Sequence, residues 1–92
     1  MTRDNDPSGD QRLLRALAHP LRAKALSLFA EGTVSPVQIA KQLDVDVSHI
    51  AYHIRVLRKL GFIELVETRQ RRGALEHFYR ATDSPIGKNV RP

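Results

Sequence analysis

Ser35-Pro36-Val37-Gln38-Ile39-Ala40-Lys41-Gln42-Leu43, then Asp44-Val45-Asp46, then Val47-Ser48-His49-Ile50-Ala51-Tyr52-His53-Ile54-Arg55-Val56-Leu57-Arg58-Lys59-Leu60-Gly61: this run reads as two helices about a three-residue break. Ser35 offers an N-cap hydroxyl, Pro36 suits the first helical position, and Gln38 stands three residues after the cap, which together make a capping box. Ile39, Ala40 and Leu43 carry the first helix. Asp46 is placed to cap a second helix that runs from Val47 to about Leu60 and stops at Gly61. In the second helix Ile50, Ile54 and Leu57 recur at i, i+4 and i+7, the spacing of a buried stripe. Ser48, Ala51, Tyr52, Arg55 and Lys59 fall on the opposite face.

Two helices about a short turn, the second with a polar and basic outer face, form the helix-turn-helix signature. Upstream, Leu13, Leu14 and Leu17 recur at helical spacing until Pro20, which disfavours helix in His19 before it. A further helix starts at Pro20, with Leu21, Ala25, Leu28 and Phe29 as its apolar stripe and Gly32 as its stop. Downstream of Gly61 the period changes. Residues 62–69 and 74–81 are two strand-like runs separated by Gln70-Arg71-Arg72-Gly73, a hairpin with arginines at its tip. The expected fold is therefore mainly α with a small β-hairpin: three to four helices and a two-stranded wing over residues 11–82. The polar residues 1–10 and the Pro- and Gly-containing residues 83–92 read as a disordered lead-in and a loose tail.

The chain has 92 residues and a formal net charge of +5, which suits one folded domain. The charge is unevenly spread: residues 1–54 balance six basic against six acidic side chains, whereas residues 55–80 set seven basic against three acidic. Such an excess points to a polyanion as partner. No apolar run approaches the roughly 20 residues that span a bilayer, and the first residues are polar and acidic, so a cytoplasmic location and no membrane partner are expected. With no cysteine, disulfides, thiolate metal sites and cysteine nucleophiles are excluded.

The segments Leu14-Arg15-Ala16-Leu17-Ala18-His19-Pro20-Leu21-Arg22, Ile39-Ala40-Lys41-Gln42-Leu43, Ser48 through Ile63 and Phe78-Tyr79-Arg80-Ala81-Thr82 resemble the ArsR-like winged-helix regulators, in order and without gaps over residues 11–82. That resemblance implies a repressor-type transcriptional regulator that binds double-stranded DNA, its recognition helix in the major groove and its wing on the flanking backbone. Carried over by position, Val47, Ser48, Ala51, Tyr52 and Arg55, with Lys59 on the same face, would be the groove-facing residues, and Arg69, Gln70, Arg71 and Arg72 the wing contacts. Arginine suits such a site because it meets guanine through two parallel hydrogen bonds. Relatives that sense metals often carry a cysteine pair or ligands on a long final helix; neither occurs in this sequence, so no metal or other cofactor is expected. Two-fold-symmetric operators would call for a homodimer, with Leu13, Leu14 and Leu17 of the first helix as its apolar surface.

Other constellations carry less. His49 and His53 stand at i and i+4, a spacing that holds metals, with His77 as a conceivable third ligand; packing beneath the helix or DNA contact are the competing roles, and a pH response through His53 is a further one. His19 is expected to cap or pack between the first two helices. No glycine-rich phosphate loop, nucleophile triad or paired carboxylates in a plausible pocket occurs, so an enzyme is not expected. The alternative to DNA binding is a protein-interaction module of the same fold, which would more often expose an apolar or acidic face where Ser48, Tyr52 and Arg55 lie.

Overall fold

The computed structural model describes residues 9–82. Four helices precede one hairpin: α1 (Gly9–Ala16), α2 (Pro20–Glu31), α3 (Pro36–Leu43), α4 (Val47–Leu60), β1 (Ile63–Arg71) and β2 (Ala74–Ala81). The expected lead-in and tail lie outside the described residues, apart from Gly9 and Asp10, which open α1 two residues ahead of Gln11. Among the described residues no helix is long and apolar enough to cross a membrane.

Cap chemistry places the two central helices. The Ser35 hydroxyl accepts from the Gln38 amide at 3.2 Å and the Gln38 side chain accepts from the Ser35 amide at 3.0 Å, the reciprocal box expected from sequence. Helix α3 ends with Asp44 in the left-handed region, φ 58°, and Val45 N–H donates back to the Ala40 carbonyl at 3.0 Å. Gly61, φ 87°, ends α4 in the same way, with Phe62 N–H on the Leu57 carbonyl at 3.0 Å. Both are Schellman-type stops that satisfy carbonyls the helix leaves open. Asp46 occupies the N-cap of α4 as expected, but its side chain makes no capping bond.

Ile50, Ile54 and Leu57 of α4 are buried with Phe29 and Ala25 of α2, Ile39 and Ala40 of α3, Phe62 just before β1, and Ile63 and Tyr79 of the hairpin. Each large side chain among them contributes roughly 1.5–3 kcal/mol by leaving water. Two stripes differ from expectation. In α2 the fully turned-in residues are Arg22, Ala25 and Phe29, while Leu21 and Leu28 are half-buried. In α1 the buried residue is Ala16; Leu13 is half-buried, but Leu14 and, just past the helix end, Leu17 are 69% and 45% exposed. A stripe through Leu13 and Ala16 leaves Leu14 facing outward, since it lies a full 100° around the helix from Leu13.

The hairpin is longer and tighter than the sequence suggests. Arg71 pairs directly with Ala74, so Gln70 and Arg71 belong to the ladder and the loop is only Arg72-Gly73. Both turn residues have positive φ, 45° and 85°, the backbone of a two-residue type I′ turn, whose twist matches that of the strands. The register shifts between Leu65 and Glu67, leaving Val66 as a bulge residue. Val34, just before α3, exchanges hydrogen bonds with Tyr79 at 3.0 and 2.9 Å, an extra bridge that ties the hairpin to the helices. Thr82 closes the other end through its side chain on the Gly61 carbonyl at 2.9 Å.

Candidate nucleic-acid interface

The outer face of α4 holds Val47, Ser48, Tyr52, Arg55 and Lys59 exposed, with Ala51 half-buried beside them. These are the six residues expected on the recognition helix, and they share one side because the opposite side is locked by Ile50, Ile54 and Leu57. The helix contains no Asp or Glu, and among the described residues no carboxylate pairs with Arg55 or Lys59. Arg58, which sequence reasoning left aside, is exposed near the end of the same helix with its guanidinium 5.5 Å from the Tyr79 ring. Tyr52, Arg55, Val56, Arg58 and Lys59 line a shallow cleft of about 450 Å³.

On the wing, Arg69, Gln70, Arg71 and Arg72 are all exposed, but two of the arginines already have carboxylate partners. Arg69 bonds Glu67 at 2.8 Å and covers the Phe78 ring at 4.7 Å. Phe78 is buried outside the main core cluster, because successive strand residues point to opposite faces and its neighbour Tyr79 takes the core side. Arg71 bonds Glu76 at 3.1 Å. Glu76 also accepts a hydrogen bond from the buried Ser35 hydroxyl, so one carboxylate joins the wing to the N-terminus of α3. Arg72 alone of the three tip arginines has no acidic partner among the described residues.

The histidines fall into two separate groups of neighbours. His77 lies on β2 with its ring 6.5 Å from that of Tyr79. The neighbours of His53 are His49, at 6.1 Å between ring centres, Tyr52 at 5.2 Å and His19 at 5.3 Å. No group of three His, Asp or Glu side chains among the described residues is arranged to hold a metal ion. His53 packs beneath α4, buried, and its Nδ1 accepts from Arg22 Nε at 3.3 Å. Burial lowers its pKa from the ordinary 6.5, and the charges of Arg22, His19 and His49 push the same way. His19 stands at the N-cap position of α2 but is exposed and makes no side-chain cap. Arg22 is buried on the same α2 stripe as Ala25 and Phe29, a spacing of 22, 25 and 29 that is itself helical.

A helix-turn-helix domain model matches residues 17–66, more than half of the chain. The chain belongs to the ArsR-like winged helix-turn-helix family. It is 38% identical over 73 residues to the HTH-type transcriptional regulator CmtR of Mycobacterium tuberculosis, a match that covers 76% of this chain and 62% of the relative. The crystal structure of the transcriptional repressor BigR from Xylella fastidiosa superposes with a TM-score of 0.64 at 28% identity, over 85% of this chain and 72% of that one. The homodimeric winged helix-turn-helix DNA-binding domain Mb0332 from Mycobacterium bovis shares the fold, with a TM-score of 0.62 at 22% identity over 85% and 68% of the two chains. Curated relatives of this family are longer: the chain spans 62% to 64% of those it matches.

Proposed function

We propose that this protein binds duplex DNA sequence-specifically and acts as a repressor-type transcriptional regulator, without enzyme chemistry of its own. The observation that carries this reading is the outer face of α4: Ser48, Tyr52, Arg55 and Lys59 are presented together on a helix that holds no acidic residue and whose other side is anchored in the core. Such a helix fits the major groove, where arginine discriminates guanine and a hydroxyl meets bases or phosphate. The wing lies along the flanking backbone, with Arg72 foremost and Arg69, Gln70 and Arg71 behind it.

The test is selection of bound sequences from random duplexes, followed by salt titration on the selected site. With about five phosphates engaged, log affinity falls against log salt with a slope of about −4 to −5. A slope near zero, or no binding at low salt, overturns the reading and leaves the fold as a protein-interaction module. A homodimer fits two-fold-symmetric sites, and the exposed Leu14 of α1 and Leu17 just after it supply an apolar surface for it; light scattering that shows a monomer both free and on the selected site would rule the dimer out.

A further inference from the structure

Arg22 is 5% exposed, yet no carboxylate among the described residues pairs with it. Its Nε donates to His53 Nδ1 at 3.3 Å and its Nη1 to the carbonyl of Arg15. Both acceptors are neutral, and they use two of the five guanidinium N–H groups. A cation taken out of water is costly unless a counter-charge accompanies it, and among the described residues none stands beside Arg22. The same side chain lines an open cleft of about 560 Å³ between the α1–α2 corner and the flank of α4. Its ionisable lining among the described residues is Arg15, His19, Arg22, Tyr52 and Lys59, with no Asp or Glu among them, and its apolar walls are Ala18, Val56 and Leu60. That volume lies within the range of small-molecule sites, which combine apolar walls with a few convergent polar groups.

We propose that this cleft is a binding site for a small amphipathic organic anion, its carboxylate or phosphate seated against Arg22 and its apolar body against Ala18, Val56 and Leu60. Arg15 and Lys59 add charge at the rim. The site stands independently of DNA binding. Its regulatory consequence rests on the DNA reading: Tyr52 and Lys59 belong both to the cleft and to the outer face of α4, so an occupied cleft lowers DNA affinity.

The experiment titrates the nitrogen-labelled full chain, free of DNA, with naphthoate and with uncharged naphthylmethanol, following the Arg22 Nε–H and His53 ring resonances. Naphthoate is expected to move both, saturably, and to bind about tenfold or more tighter than the alcohol, the difference that a charge-assisted hydrogen bond makes. Arg15→Gln and Lys59→Gln are expected to weaken naphthoate severalfold while leaving the melting temperature unchanged, since both side chains are exposed and Arg15 serves the fold through its carbonyl. The proposal is overturned if millimolar naphthoate moves neither resonance, if the alcohol binds equally well, or if the shifts spread over every exposed arginine. Inorganic phosphate in a parallel titration separates an adventitious ion from a built site: binding as tight as that of naphthoate denies the apolar walls any part and overturns the organic-anion assignment. If naphthoate binds a chain that binds no DNA, the site stands and the DNA reading falls; if it binds but leaves DNA affinity unchanged, the coupling through Tyr52 and Lys59 is wrong.

Discussion

The arginines of α4 and those of the wing sit in opposite electrostatic surroundings. On α4, Arg55 and Lys59 project from a helix without an acidic residue; on the hairpin, Arg69, Arg71 and Arg80 each bond a glutamate, at 2.8, 3.1 and 3.1 Å. A paired arginine adds little net field at a distance, and to reach a phosphate it must first give up its partner. Exposed pairs such as Arg69 with Glu67 are worth about 0–1 kcal/mol and exchange easily. Arg71 is held more firmly, because Glu76 is only 15% exposed and also accepts from Ser35. The difference teaches that formal charge overstates the wing and that, of these two regions, the unpaired positive charge among the described residues lies on α4 and at Arg72.

The largest effect should follow from Arg55→Ala. Specific affinity is expected to fall by roughly 1–3 kcal/mol while binding to scrambled DNA changes far less, because base contacts rather than charge alone are lost. Equal losses on both DNAs would break the division between the two regions. Next comes Arg72→Asn, which keeps the type I′ turn and removes the free charge at the tip; the salt slope should shrink by about one on any DNA. Arg69→Gln should change it by less, since that arginine is already neutralised by Glu67, and instead lower stability slightly by uncovering Phe78. A larger slope change for Arg69 than for Arg72 would reverse the ranking.

Glu76→Gln sharpens the comparison in the other direction. The amide can still accept from Ser35, so the fold is retained, while Arg71 loses its counter-charge; affinity for all DNA should rise modestly and the slope steepen by at most about one. Unchanged or weaker binding by a folded variant would show that Arg71 takes no part. The smallest expected effect is in pH dependence, and it belongs to α4 alone. His53 is faced by Arg22 of α2, by His19 ahead of it and by His49 on its own helix, with Tyr52 in ring contact. Its folded pKa is depressed below 6.5, so below that pH the unfolded chain takes up a proton that the folded chain resists. Stability is full above about pH 6.5 and is lost as the pH falls further, which melting curves between neutral and mildly acid pH would register; His53→Gln should flatten that decline.

Much of this molecule is legible in local sequence. The capping box at Ser35, the stop at Gly61, the Ile50, Ile54 and Leu57 stripe and the outward set from Val47 to Lys59 all depend on residues within a turn or two of one another. So does the existence of a hairpin, since glycine after Arg72 supplies one of the two positive φ angles the turn needs. What the tertiary structure alone decided are relations between distant residues. The bulge at Val66 sets which strand residues stand opposite one another, and so brings Arg69 and Glu76 face to face while leaving Arg71 within reach of the same glutamate. The Val34 bridge to Tyr79 and the meeting of Arg22 with His53 across 31 residues of chain belong to the same class. Periodicity and capping act over a few residues and can be read in order along the chain. Which charge finds which partner depends on how whole elements pack, and no local pattern encodes that.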